Sequence, residues 1–133
     1  MTTVMKDTRQ ARPTIMLVED DEISRTLLHQ LLKKSGYRII EAVDGLEALK
    51  VAMRERPTLI LMDVDLPGLD GIGITRRIRE DAALRNTLIV MVTAFDTPEI
   101  REAAFDAGCN EYLVKPLDAI RLKAFLKSIL LEK

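Results

Sequence analysis

The stretch Leu59-Ile60-Leu61-Met62-Asp63-Val64-Asp65-Leu66-Pro67-Gly68-Leu69-Asp70-Gly71 runs four apolar residues into a carboxylate and then into a loop punctuated by Pro67, Gly68 and Gly71. An apolar run without alternation suits a strand covered on both faces, as in a parallel sheet, and a Pro-Gly step continues neither a strand nor a helix. Asp63 is therefore expected at the carboxyl end of a buried strand, where open α/β sheets bind their ligands. A lone Asp at such a point serves equally well as a turn or helix cap. The rest of the chain decides between the two.

Upstream, Ile15-Met16-Leu17-Val18 runs in the same way into Glu19, Asp20 and Asp21. Asp20 or Asp21 can cap a helix whose apolar positions Ile23, Leu27 and Leu31, with Leu28 and Leu32 beside them, end at Gly36. Arg38–Val43 mixes Ile39 and Ile40 with Arg38 and Glu41, which suits a strand nearer a sheet edge. Asp44 and Glu47 then read as a capping box, and Leu46, Leu49 and Met53 recur at helical spacing until Pro57. Beyond Gly71, Ile74 and Ile78 mark one face of a third helix; Arg76, Arg77, Arg79 and Glu80 read as its wet face rather than as a phosphate site.

Leu88-Ile89-Val90-Met91-Val92 is the most continuously apolar run and leads into Thr93 and Ala94, as a central strand would. Asp96, Thr97, Pro98 and Glu99 start the next helix and Ala107-Gly108 stops it. Tyr112-Leu113-Val114 forms a short fifth strand ending in Lys115-Pro116, and Leu122, Phe125, Leu126 and Ile129 give the last helix one apolar face. Strand and helix alternate five times, which implies a parallel sheet covered on both faces with right-handed crossovers. One edge of that sheet would collect Glu19, Asp20, Asp63, Thr93 and Lys115.

Composition narrows the function classes. The 133 residues suit one domain, expected over 14–133 behind a flexible tail at 1–13, and are enough to bury a core without disulfide or metal staples. With 20 basic and 21 acidic residues and a net charge of −1, no overall basicity argues for nucleic acid, and no direct DNA binding is expected. Cys109 alone excludes an intrachain disulfide or a multi-cysteine zinc site, and His29 alone leaves histidine metal sites and Ser-His catalysis without a second histidine. Neither a secretory signal nor a membrane-length apolar run is present, so a cytoplasmic protein without membrane partners is expected.

Three carboxylates brought within a few ångströms repel one another unless a cation sits among them, and oxygen-only ligands select a hard one. Mg²⁺, which keeps several waters and uses one or two carboxylates plus phosphate oxygens, suits an open strand-end site better than Ca²⁺. A carboxylate is also a nucleophile towards phosphorus, and catalysis of that transfer is mainly positioning and charge neutralisation. Lys115 and the Thr93 hydroxyl can supply part of that neutralisation.

These residues carry a resemblance to the response-regulator (CheY-like) receiver domain, the phosphoryl-accepting module of two-component signalling. It rests on Val18-Glu19-Asp20-Asp21, Leu61-Met62-Asp63, Leu66-Pro67-Gly68-Leu69-Asp70-Gly71, Val92-Thr93-Ala94 and Tyr112-Leu113-Val114-Lys115-Pro116, in order and at compatible spacing. The resemblance implies a doubly wound (βα)5 fold with the flavodoxin-like strand order 2-1-3-4-5. It implies that Asp63 accepts a phosphoryl group from a histidine kinase or phosphotransfer protein. Asp20 would bind Mg²⁺ directly, Glu19 through water and Asp65 through its backbone carbonyl, with Asp63 completing the set; Mn²⁺ is expected to substitute. Thr93 and Lys115 would each meet a phosphoryl oxygen, the Lys115-Pro116 bond would be cis, and Tyr112 would be the switch aromatic that turns inward with Thr93. The fourth helix, fifth strand and fifth helix would then form the face that controls a downstream protein, in a monomer or a phosphorylation-linked dimer.

Asp65 and Phe95, each two residues beyond a site residue, are expected to tune the lifetime of the phosphorylated state, Phe95 by covering it from water. Such a domain is a self-modifying switch rather than an enzyme with turnover. Two other readings share features of this sequence. Asp63-Val64-Asp65 also resembles the nucleophile motif of haloacid-dehalogenase-type phosphatases, although there it usually lies on the first strand of a longer chain. A flavodoxin-like cofactor binder would share the architecture but lacks its phosphate loop here. Met1 and the irregular tail suggest a stand-alone protein, with a module of a hybrid kinase as the alternative.

Overall fold

The computed structural model describes residues 12–67 and 70–131. Of the tail expected over residues 1–13, residues 1–11 lie outside that range, as do Gly68 and Leu69 of the loop after Asp63. The chain alternates β1 (Thr14–Val18), α1 (Glu22–Lys34), β2 (Arg38–Ala42), α2 (Gly45–Glu55), β3 (Leu59–Asp63), α3 (Gly71–Arg79), β4 (Leu88–Thr93), α4 (Pro98–Ala107), β5 (Glu111–Val114) and α5 (Ala119–Leu131), with a 3₁₀ turn at Ala82–Leu84 before β4. The strands pair in parallel in the order β2-β1-β3-β4-β5. This is the doubly wound order that the receiver-domain resemblance implies.

Strand periodicity divides the core into two layers. Met16, Val18, Ile60, Met62, Ile89 and Met91 face α2, α3 and α4, where they meet Ala48, Ala52, Ile74, Ile78 and Ala104. Their alternates Ile15, Leu17, Leu59, Leu61, Val90 and Val92 face α1 and α5, against Leu32, Leu122 and Leu126. Both sides of the central strands are thereby dry, which is why their sequences do not alternate. β2 lies at an edge and is only partly covered, as its Arg38 and Glu41 suggested.

Helix starts follow side-chain chemistry closely. Asp21 accepts from the Ser24 N–H at 2.8 Å and Asp44 from Glu47 N–H at 2.8 Å, while the Glu47 carboxylate reaches back to Val43 N–H at 2.7 Å. Thr97 caps α4 with Pro98 in the first turn, and Gly108 ends it at φ +115°.

Two helices bury a face other than the one their large apolar residues suggest. Ile23 and Leu27 of α1 are 72% and 62% exposed, and α1 packs through Leu28, Leu31 and Leu32 instead. Leu46 and Met53 of α2 are likewise exposed, because α2 lies on the sheet through Ala48, Val51 and Ala52, whose small side chains allow close approach.

Gly71 shows how tightly the loop after β3 is drawn in. Its N–H donates to Val64 O at 3.0 Å, and a Cβ there would lie 2.3 Å from the Asp63 carbonyl oxygen. Gly71→Ala is therefore expected to cost about 1–3 kcal/mol through forced backbone displacement. Chemical denaturation measures it, and an unchanged midpoint would contradict the packing described.

Candidate functional site

Each chemistry-bearing residue sits where a strand stops. Glu19 follows β1, and its N–H still donates to Ala42 O of β2 at 3.1 Å. Asp63 is the last residue of β3, in register with Val92 of β4. Thr93 ends β4, and its carbonyl accepts from Lys115 N–H at 2.8 Å, which fixes where the lysine leaves β5. The Lys115–Pro116 peptide bond is cis.

These ends bring four of the expected residues together. Carboxylate oxygens of Glu19, Asp20 and Asp63 all lie within 4.8 Å of one another. Lys115 Nζ is 3.0 Å from Glu19 Oε1 and 3.3 Å from Asp63 Oδ2, so one ammonium is shared between two carboxylates. Glu19 and Asp63 are 3% and 6% exposed, whereas Asp20 faces solvent at the mouth. Asp65 is exposed too, and it touches Asp63 through its backbone N–H, which donates to Oδ1 at 3.1 Å.

The charge balance of this cluster is unfavourable to its own acids. Burial first, and then the Glu19 carboxylate, push Asp63 up to about 6, against the opposing pull of Lys115 and the Asp65 N–H. Burial alone would lower the Lys115 ammonium, but Glu19 and Asp63 outweigh it and hold its pKa above the usual value. A cluster that raises an acid's pKa despite a lysine in contact has room for more positive charge. Its oxygen-only donors fit a hard divalent cation.

Thr93 is fully buried, and its Oγ1 accepts from the Phe95 N–H at 3.0 Å. Phe95 itself is 64% exposed. Tyr112 lies further out, on edge strand β5, with the Arg101 guanidinium 4.7 Å above its ring and Phe105 alongside. The Tyr112 hydroxyl is buried without a hydrogen-bond partner among the described residues; burial first, then the Asp96 carboxylate nearby, raise its pKa. Beside the acids an open groove of about 520 Å³ runs between α1 and the segment after β5, lined by Leu27, Leu28, Ala94, Pro116 and Leu117.

One participant went unread in the sequence. Arg25 of α1 donates from Nη1 to the carbonyls of Glu19 at 3.0 Å and Asp20 at 3.4 Å, while its Nε lies 3.4 Å from Glu41 Oε1 of β2. The available signal was an arginine four residues past the cap residue Asp21, on a helix that begins at the acids. Cys109, by contrast, is buried far from this edge, and its thiol is pushed up to about 11 by burial and then by Glu111.

The fold and this strand-end constellation define a doubly wound α/β protein with an acidic, lysine-bridged site at the carboxyl edge of its sheet, and comparison with known proteins gives the family. The response regulator receiver domain profile matches residues 15–127, so the chain belongs to the response-regulator receiver domain family of two-component signalling. The polar-differentiation response regulator DivK of Brucella anthropi is 38% identical over 117 residues, covering 88% of this chain and 95% of that protein. Among solved structures, the receiver domain of a sensor histidine kinase from Pseudomonas aeruginosa PAO1, with a magnesium ion coordinated in its active-site cleft, is 37% identical with a TM-score of 0.83, covering 90% of this chain and 98% of its own. A CheY-like receiver domain protein from Methanospirillum hungatei superposes with a TM-score of 0.86 at 26% identity, covering 91% and 95% of the two chains. Receiver domains are generally regulatory switches. No helix among the described residues is long and apolar enough to cross a membrane.

Proposed function

We propose that this chain is a phosphorylation-driven switch in which Asp63 accepts a phosphoryl group from a phosphohistidine of a kinase or phosphotransfer protein. The observation that carries the reading is the convergence of Glu19, Asp20 and Asp63 within 4.8 Å around the shared Lys115 ammonium. An Asp63 carboxylate oxygen forms the new bond to phosphorus, and the bond from phosphorus to the donor's imidazole nitrogen breaks with its electron pair on that nitrogen. Glu19, Asp20, Asp63 and the Asp65 carbonyl would hold Mg²⁺, with Mn²⁺ as a substitute. When bound, the metal supplies charge neutralisation for the phosphoryl oxygens.

The chain's own residues do the rest. The Asp65 N–H orients one Asp63 oxygen. Lys115 travels from the carboxylate to a phosphoryl oxygen as charge builds there, and the Thr93 hydroxyl, whose oxygen accepts from the Phe95 N–H, donates its O–H to another. The groove beside the acids, with the exposed Ile23 and Leu27 nearby, offers an apolar surface on which the histidine-bearing donor can align.

Turning a carboxylate into an acyl phosphate adds about one negative charge, which a two-state element must register. Tyr112 suits that role because it lies on edge strand β5, beside the strand that ends in Thr93, with the Asp96 carboxylate near its buried hydroxyl. Its neighbours in α4, β5 and α5, including the exposed Phe105, Val114 and Ile120, form the face offered to the controlled protein. Domain 14–133 acts as one unit in this scheme, in the cytoplasm, as a monomer or phosphorylation-linked dimer.

Incubation with Mg²⁺ and acetyl phosphate, followed by intact mass, tests the reading. One phosphoryl addition is expected, absent with EDTA and absent in Asp63→Asn; no addition to folded wild type, or an undiminished one in Asp63→Asn, contradicts it. Phe95 is exposed in the unphosphorylated form, and on this reading its ring shields the acyl phosphate once formed, so Phe95→Glu is expected to shorten the lifetime of the phosphorylated form severalfold. An equal or longer decay time measured on the same spectra would remove Phe95 from the account.

A further inference from the structure

We propose that Arg25 is a positioning residue for cation binding, and that it acts by tying down the backbone of the acid pair rather than by its charge. The inference rests on the metal-binding reading given above. Glu19 and Asp20 lie on an irregular turn between β1 and α1, where no strand ladder or helix fixes both peptide planes. The Glu19 N–H is held by Ala42 O, and the Asp21 N–H by the Glu19 side chain at 3.1 Å. The two carbonyls of the pair are held from the other side by one guanidinium nitrogen of Arg25.

The arginine is itself held. Its side chain is 16% exposed, and its Nε meets Glu41 Oε1, whose other oxygen, Oε2, meets His29 Nδ1. Glu41 lies on β2, opposite Leu17 of β1, so the sheet fixes its backbone, while its exposed side chain is held between Arg25 and His29. A planar guanidinium bridging a strand carboxylate and two turn carbonyls fixes the direction in which both acids leave the backbone. Residues that orient metal ligands typically change metal affinity by about 10- to 100-fold when removed.

Charge and positioning predict opposite signs, which makes the inference testable. A guanidinium beside three carboxylates competes electrostatically with a divalent cation, so removal of charge alone would tighten Mg²⁺ binding. Loss of positioning would weaken it. Mg²⁺ titration calorimetry on the full chain, with Mg²⁺ as the only added ligand, is expected to show binding roughly tenfold weaker in Arg25→Ala. Glu41→Ala, which leaves the arginine in place but unanchored, is expected to weaken it severalfold, and Glu41→Gln, which keeps an acceptor for Nε, to restore most of the loss.

The double variant is expected to bind no more weakly than Arg25→Ala, because both substitutions break one chain of contacts. Equal or tighter binding in Arg25→Ala, with wild-type binding intact, overturns the positioning role alone. Absence of Mg²⁺ binding in folded wild type overturns the metal reading, and this inference with it. Should Arg25→Ala not fold, the Glu41 pair carries the test, since both variants lose the same negative charge: Glu41→Ala binding as wild type does, or Glu41→Gln binding as weakly as Glu41→Ala, overturns the proposal.

Discussion

Lys115→Ala is expected to destabilise the metal-free protein by about 2–3 kcal/mol at pH 7, because it leaves two buried carboxylates with no cation between them. Glu19 and Asp63 are 3% and 6% exposed, and the Lys115 ammonium is the positive group in contact with both. The deficit should shrink in two ways: on adding Mg²⁺, which replaces the missing charge, and on lowering the pH, which neutralises a carboxylate. The same variant should bind Mg²⁺ more tightly than wild type yet accept phosphoryl groups roughly 10²- to 10³-fold more slowly, since a charge aimed at the transferring group is lost. Thermal melts with and without metal, together with the time course of mass addition, measure all of this. A metal-free Lys115→Ala that melts with wild type would show that the acids do not need the lysine.

Asp63→Asn is expected to act in the opposite direction on stability. The wild-type acid is raised from 3.8 to about 6 by burial and then by Glu19, so at neutral pH its ionised form is disfavoured in the folded state relative to the unfolded chain. The sign follows by linkage: this group's contribution to stability is fully present below the unfolded pKa and is lost as pH rises through about 6. Each pKa unit is worth about 1.4 kcal/mol, and discounting for water at the open mouth leaves about 1–2 kcal/mol at pH 7–8. Metal-free Asp63→Asn should therefore exceed wild type by that amount at pH 7–8, with the difference vanishing towards pH 4. Saturating Mg²⁺ should reverse the order, because binding at 100 times Kd adds about 2.7 kcal/mol to whichever form binds it. A constant difference across pH would place the effect in packing rather than ionisation.

Strand positions and their terminal residues were legible in the sequence because burial on both faces leaves unbroken apolar runs, and an acid or hydroxyl ending such a run marks the sheet edge. Glu19, Asp63 and Thr93 follow from that one pattern, while Lys115 follows a short, partly exposed edge strand and was legible only beside the other three and Pro116. The rotation of the helices was less legible. In α1, the i, i+4, i+8 series Ile23, Leu27, Leu31 and the overlapping series Leu28, Leu32 compete for the core, and the position of the helix on the sheet leaves Ile23 and Leu27 in solvent. In α2 the buried face is built of alanines, which carry little apolar signal despite allowing the closest packing. Arg25 was illegible for a different reason: its partners are two backbone carbonyls and a glutamate from another strand, and sequence spacing does not show contacts of that kind.

The most direct test of the central claim is to locate the phosphoryl group chemically. Borohydride reduces an acyl phosphate on aspartate to homoserine, so the protein would be incubated with Mg²⁺ and acetyl phosphate, reduced, digested and mapped by mass. Conversion at Asp63 and at no other acid, dependent on both metal and donor, is the predicted result. Homoserine at Glu19's neighbour Asp20 or at Asp65 in place of Asp63, or no conversion in folded and metal-loaded protein, would contradict Asp63 as the acceptor.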